Sequence, residues 1–320
     1  MKLTTKYGTL TGITSTTKYP NGNIKDCTVN EPNKLTTAYG ELVPQYEDSG
    51  ERRKHIHSLS FYDNGNLKSI SLHTQTNVVT PAGVFGAELI TFHENGEIKR
   101  LFPLNGKLTG YWTEEKEYEL AENFEFDLQV GSFTQKIIGI CFYEDRKIKS
   151  ITFWPNDVIK IDTPIGSMEG RVGISFYGNG KLKSIEPNKP LYVQTPIGKM
   201  LAYDIDPVGV HGDRNSLIFN EDGSIKSLLT STDKVRVTAK SGDEFFHKPD
   251  LKMSILSDLI MQPTPMKIAF YDNKVNFNND PEHVYIVDQF DFAITNSFYK
   301  INNGSSCSGS CSSCSLGVCS

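Results

Sequence analysis

The sequence predicts an all-β protein, an array of stacked antiparallel β-hairpins (a repeat meander) with an irregular C-terminal cap. Three observations predict it. A decapeptide built around Asn-Gly recurs six times, Thr-Pro-x-Gly turns alternate with it, and short β-prone runs join the two. The copies read KYPNGNIKDC (18–27), FYDNGNLKSI (61–70), FHENGEIKRL (92–101), FYEDRKIKSI (142–151), FYGNGKLKSI (176–185) and FNEDGSIKSL (219–228). FYDNKVNF (270–277) is a shortened seventh.

Each copy is a hairpin because Asn-Gly and Asp-Gly accept the positive φ that a type I′ turn needs at both central residues. Asp145-Arg146 fills that slot in the fourth copy and predicts a distorted or longer turn. A two-residue turn at Asn64-Gly65 pairs Phe61 with Lys68 and Leu59 with Ile70. That register puts Leu59, Phe61, Lys68 and Ile70 on a core face, and Ser60, Tyr62, Leu67 and Ser69 on a mixed face. TPAG (80–83) and TPIG (163–166 and 195–198) supply the alternating turns, with Pro fixing φ and Gly giving freedom, and TKYG (5–8) and TAYG (37–40) are looser relatives.

The motif resembles the variant MORN repeat, whose units read approximately Y-x-N-G-x-L-K. The resemblance covers the six decapeptides within 18–228. It implies a hairpin array and an association with scaffolding and protein or membrane contacts rather than catalysis. Copies here stand some thirty to fifty residues apart, further than the family's units.

Composition narrows the function. The chain of 320 residues carries 33 Lys+Arg against 38 Asp+Glu and 11 % aromatics. That excludes a disordered chain and disfavours a nucleic-acid or membrane-surface binder. No apolar run reaches the roughly 18 residues of a membrane span. The start MKLTTKYGTLTG lacks an apolar leader core, so the expected compartment is the cytoplasm. Dinucleotide, phosphate-loop, hydrolase-elbow and zincin motifs do not occur.

Lys25, Lys68, Lys99, Lys149, Lys183 and Lys226 hold one slot in all six copies. They are either a ladder for an anionic partner or stems covering an aromatic ring, and acidic residues at the same turns favour the second. His55 and His57 form an H-x-H pair that could bind zinc with a third ligand, and ERRKHIH reads equally as a polar edge strand. His93 is read as a surface substitution for the repeat tyrosine. Cys27 and Cys141 read as core residues. The run Glu114, Glu115, Glu117 and Glu119 reads as a solvated insertion.

By these signals the hairpin array occupies 1–242 and a capping region 243–301. In the cap, 250–261 predicts a short helix ended by Pro263 and Pro265, and 283–296 one or two strands. Residues 302–320 form a Ser/Cys-rich tail in which Cys307, Cys311, Cys314 and Cys319 lie at C-x3-C-x2-C-x4-C. Four thiolates suit zinc or an iron–sulfur cluster. The first three match the spacing of the radical SAM cluster triplet, without that family's barrel. The Ser/Cys alternation also resembles the core peptides of ribosomally made natural products, and Cys311-Ser-Ser-Cys314 a redox pair. The sequence therefore predicts a non-catalytic scaffold or accessory protein, with a protein partner and a metal- or cluster-binding tail. The alternatives are a substrate of a peptide-modifying enzyme, a thiol-redox tail, or a catalytic β-solenoid with a site on one sheet face.

Overall fold

A computed structural model describes the backbone of residues 2–53, 57–207, 215–254 and 257–296. All six copies close the same way. The residue before the turn (Tyr19, Tyr62, His93, Tyr143, Tyr177 or Asn220) donates its N–H to the carbonyl four residues on and accepts from the N–H three residues on. That geometry is a three-residue loop ending in a left-handed residue, not the expected two-residue turn. Gly22, Gly65, Gly96, Gly180 and Gly223 take this last position with φ between +77° and +91°.

The Asn of Asn-Gly has another task. In every copy the Asn or Asp oxygen at this slot accepts the N–H two residues on, as Asn64 does from Asn66 at 2.9 Å. Such Asx turns explain the residue choice. Arg146 completes the same loop at φ +70°, so the fourth turn is neither longer nor distorted.

The longer loop shifts the register by one residue, and a β-bulge restores it. Phe61 faces Leu67, yet Leu59 still faces Ile70, because Lys68 is the extra residue between them. Lys25, Lys99, Lys149, Lys183 and Lys226 are the bulged residues of the other copies. The predicted faces change accordingly: Leu67 is buried and Lys68 is exposed.

Each copy then pairs with the next. Cys27 faces Leu59, Ile70 faces Ile90, Leu101 faces Ile140, Ile151 faces Ile174, Ile185 faces Leu217, and Leu228 faces Ile268. These residues form one row across successive strands, each at most 1 % exposed, and the row is the spine of the core. Ile13–Lys18 and Val284–Ile286 end the ladder, and among the described residues no pairing joins them, so the sheet runs as an open meander. At the first edge Thr16 and Lys18 stand where the second copy has Leu59 and Phe61, a polar finish that suits an array end.

Between copies the chain leaves the sheet as hairpin arms with Thr-x-x-Gly tips. In five of them the Thr hydroxyl accepts the N–H two residues on and donates to the Gly carbonyl. The arms lie over the sheet as a second layer. Their Val78, Phe85, Phe126, Ile161 and Met200 join the core of the spine.

The array continues beyond residue 242. Met266–Tyr271 pairs with Ile225–Thr230 and then with Lys274–Phe277. This seventh copy alone has a two-residue turn with both φ positive, at Asp272 (+47°) and Asn273 (+58°). A three-stranded sheet of Glu244–His247, Asp233–Ala239 and Phe290–Asn296 flanks it. The helix expected at 250–261 is instead a hairpin, Asp250–Ser254 with Ser257–Thr264. Leu251 and Met253 alternate with polar residues, a two-residue period that outweighs the helical reading. The expectation for 283–296 holds, with Val284–Ile286 and Phe290–Asn296 separated by one 3-10 turn.

Candidate functional site

The arms meet the sheet at the turns. The Tyr7 hydroxyl accepts the Leu67 N–H at 2.9 Å, and the Tyr39 hydroxyl accepts the Ile98 N–H at 3.2 Å. Leu67 and Ile98 occupy the same position beside the bulge in their copies, so each hydroxyl satisfies a donor in the broken ladder. Further along, Gln129 Nε2 donates to the Asn179 carbonyl at 3.3 Å, and Pro164 packs against Gly223. Where arm tips and turns do not touch, open niches remain between copies four and five, five and six, and six and seven. The first is the largest, about 1,420 Å³, over Phe126, Phe133 and Phe176.

Along the turns runs a second ladder. The tyrosine before each turn donates its hydroxyl to the next copy's Phe carbonyl: Tyr19 to Phe61, Tyr62 to Phe92, Tyr143 to Phe176 and Tyr177 to Phe219, at 2.7–2.9 Å. His93 continues the series, its Nε2 3.0 Å from the Phe142 carbonyl. The histidine is thus part of the ladder and not a surface substitution. The bulge lysines lie over the same rings, with Lys68, Lys149 and Lys183 at 5.7–5.9 Å from Tyr62, Tyr143 and Tyr177. Three of the six thus place their ammonium groups over aromatic rings of their own copy, Lys68 over Tyr62 and not Phe61.

Two buried polar clusters escaped sequence reading. Glu117, from the acidic run, is buried on the helix Glu114–Leu120. Its carboxylate accepts Arg52 Nε (2.7 Å) and Nη2 (2.8 Å), Trp112 Nε1 (2.7 Å) and the Gly106 N–H (2.7 Å). Arg52 also grips Glu88 through both terminal nitrogens. Burial opposes the charge on Glu117, and these donors overcome it and hold the carboxyl below its ordinary pKa. Arg52 is likewise held charged by its two carboxylates against burial. The cluster locks the connection 103–113 onto the long hairpin.

Glu186, next to the spine residue Ile185, is 1 % exposed and accepts the Ser216 N–H at 2.7 Å and the Asp204 N–H at 3.5 Å. Burial pushes its carboxyl up to about 7, against the pull of Ser216 and Arg171. Arg171 donates to the Asp204 carbonyl at 2.7 Å and lies over the Tyr203 ring. Its neighbour Val172 is held at φ +61°, a strained value for a β-branched residue. The group sits where the spine meets the connection after 203. An acidic residue directly following the repeat's Ser-Ile was the one signal that could have found it.

The predicted thiolate ligands Cys307, Cys311, Cys314 and Cys319 lie outside the described residues, as does His55. His57 is exposed, with Nδ1 3.4 Å from the Thr28 hydroxyl. Cys27 and Cys141 are buried, as expected, and burial pushes the Cys27 thiol up to about 11. Among the described residues no three His, Cys, Asp or Glu side chains form a metal-holding group, and no helix is long and apolar enough to cross a membrane. The last described strand, Phe290–Asn296, is held by seven pairs to Asp233–Ala239, and in the sequence Cys307 stands eleven residues after Asn296.

A family model described as the MORN repeat variant matches residues 54–74, across the second copy. No curated protein and no solved structure matches the chain. The matched segment includes the Asn64-Gly65 loop and the Lys68 bulge that the other five copies reproduce. The chain therefore carries a MORN-type variant repeat, set in an all-β meander of hairpins.

Proposed function

We propose that this chain is a non-catalytic repeat scaffold whose Cys307, Cys311, Cys314 and Cys319 bind a metal ion or an iron–sulfur cluster for a partner protein. One observation carries the reading: the thiols divide by place. Cys27 and Cys141 are buried in the array, the first held protonated, whereas the other four share sixteen residues of Ser- and Gly-rich chain. Thiolates, not thiols, ligate metals, so the tail is where such chemistry belongs. Its C-x3-C-x2-C-x4-C spacing offers four soft ligands, suited to tetrahedral zinc or to a cluster. The array supplies a rigid mount. The accessory role is supported by the repeat and not by a site on the array.

The test is anaerobic purification of the full chain and of a variant ending at Gly304. Metal content, sulfide, visible absorbance and intact mass are read on each. Iron and sulfide, or one zinc per chain, lost with the tail is the expected result. A metal-free full chain of unmodified mass overturns the proposal. A mass shift confined to the tail of protein from its native cell would instead identify a modified peptide.

A further inference from the structure

The three niches recur in register with the repeat. The first lies between the turns of copies four and five, the second between five and six, and the third between six and seven. Each has an apolar floor, from Phe126 and Phe176 in the first to Val130 and Leu182 in the second and Ile225 and Phe270 in the third. The ridges between them are the contacts of Gln129 with Asn179 and of Pro164 with Gly223. Successive niches are one copy apart. A copy is two strands wide, so their spacing is about 9.6 Å, and one three-residue turn of polyproline II spans about 9.3 Å. A polypeptide crossing the ridges in polyproline II form thus presents every third side chain to a niche, because its side chains repeat direction every three residues.

Charge selects the polypeptide. Seven carboxylates line the niches against four cations. Lys147 is engaged with one of the seven, Asp145, at 3.0 Å, and Arg146 with Glu97 at 3.4 Å, which leaves six carboxylates against Lys181 and Lys274. Asp127, Asp162, Glu221 and Asp222 stand on the rims of the first two niches. Ser132 occupies one oxygen of Asp127, and the residue remains exposed.

We propose that the row of niches is a binding groove for a basic polypeptide in the polyproline II conformation, with one apolar side chain in three seated in a niche and Lys or Arg meeting the rim carboxylates. This groove is formed by the array and is independent of the cysteine tail.

The test measures fluorescence anisotropy of labelled synthetic peptides on the full chain. The peptides are four repeats of Leu-Arg-Ser, four of Leu-Glu-Ser, and three of Leu-Arg-Ser-Ser. The first is expected to bind. Its affinity should fall about tenfold in the Asp127→Lys/Asp162→Lys variant and by a similar factor when salt is raised well above physiological strength. The four-residue repeat should bind at least about threefold more weakly, since its spacing drifts from that of the niches. The proposal is overturned if the acidic peptide binds as well as the basic one, if none binds, or if the two spacings bind equally. It is also overturned if the charge-reversed variant, with an unchanged thermal melt, keeps full affinity. Should that variant not fold, salt-insensitive binding to the unaltered chain overturns it equally.

Discussion

The Tyr177 hydroxyl donates to the Phe219 carbonyl at 2.7 Å, joining the fifth and sixth copies across 42 residues of sequence. Four other copy-to-copy junctions are tied in the same manner, three by tyrosine and one by His93. Tyr177→Phe removes only the hydroxyl and leaves the ring under Lys183. The expected loss is about 1 kcal/mol in denaturant unfolding. Tyr62→Phe should match it, and the double variant should show the sum, because the two junctions share no partner. Neither single change affecting stability would mean that the ladder follows the stacking instead of reinforcing it.

Arg146 occupies a left-handed position that glycine fills in the other five copies. Arg146→Gly relieves that conformation at the expense of a half-exposed ion pair with Glu97, worth little at a surface. Added freedom of the unfolded chain offsets part of the gain. The net expectation is a stabilisation of about 0.5–1 kcal/mol, read as a higher denaturant midpoint at unchanged slope. Gly65→Ala, the reverse experiment, should destabilise by about 1 kcal/mol.

Much of this architecture was legible because each copy states it locally. The turn slot, the Thr-x-x-Gly tips and the alternation of Leu59, Phe61 and Ile70 are short-range signals, and they gave the hairpins and most of the core. The exact loop was not legible. Asn64-Gly65 satisfies two turn types, and Lys68 becomes the bulge only when the neighbouring strands set the register. The clusters around Glu117 and Glu186 depend on partners 65 and 30 residues away, Arg52 and Ser216, and no local pattern announces such pairs. The hairpin at 250–264 was misread because apolar density over a short run does not separate helix from strand. The candidate thiol site was readable as composition and spacing alone.

Glu117→Gln tests the buried lock. The substitution keeps the shape but removes the charge, and it sets an amide N–H₂ against donors such as Trp112 Nε1 or Arg52 Nε. Arg52 is left with Glu88 as its only carboxylate partner among those described. Breaking one side of a buried pair costs about 3 kcal/mol or more. Hydrogen exchange at Gly106, whose N–H the carboxylate accepts, should accelerate together with the loss of stability. Faster exchange at Gly106 without global destabilisation would make the cluster a local clasp only.

Glu186 gives the array a pH dependence with a defined sign. Its folded pKa of about 7 lies above the ordinary glutamate value, so folding favours the protonated form. The stabilisation is complete below the ordinary carboxylate range and is lost as pH rises through 7. Asp233, raised to about 6 by burial, acts the same way at lower pH. His247 acts oppositely: burial lowers its pKa to about 4, so its contribution is lost only as pH falls from about 6.5. Between pH 6.5 and 8 Glu186 therefore dominates these three, and stability should fall by about 1 kcal/mol. The groups facing it, Arg171, Asp204 and Ser216, are left intact by Glu186→Gln, which cannot ionise. That variant should flatten the profile over this window while keeping one acceptor for the Ser216 N–H. An unchanged slope in Glu186→Gln would assign the titration to another group, and no slope in the parent chain would mean that the Ser216 and Arg171 interactions outweigh the burial of the charge.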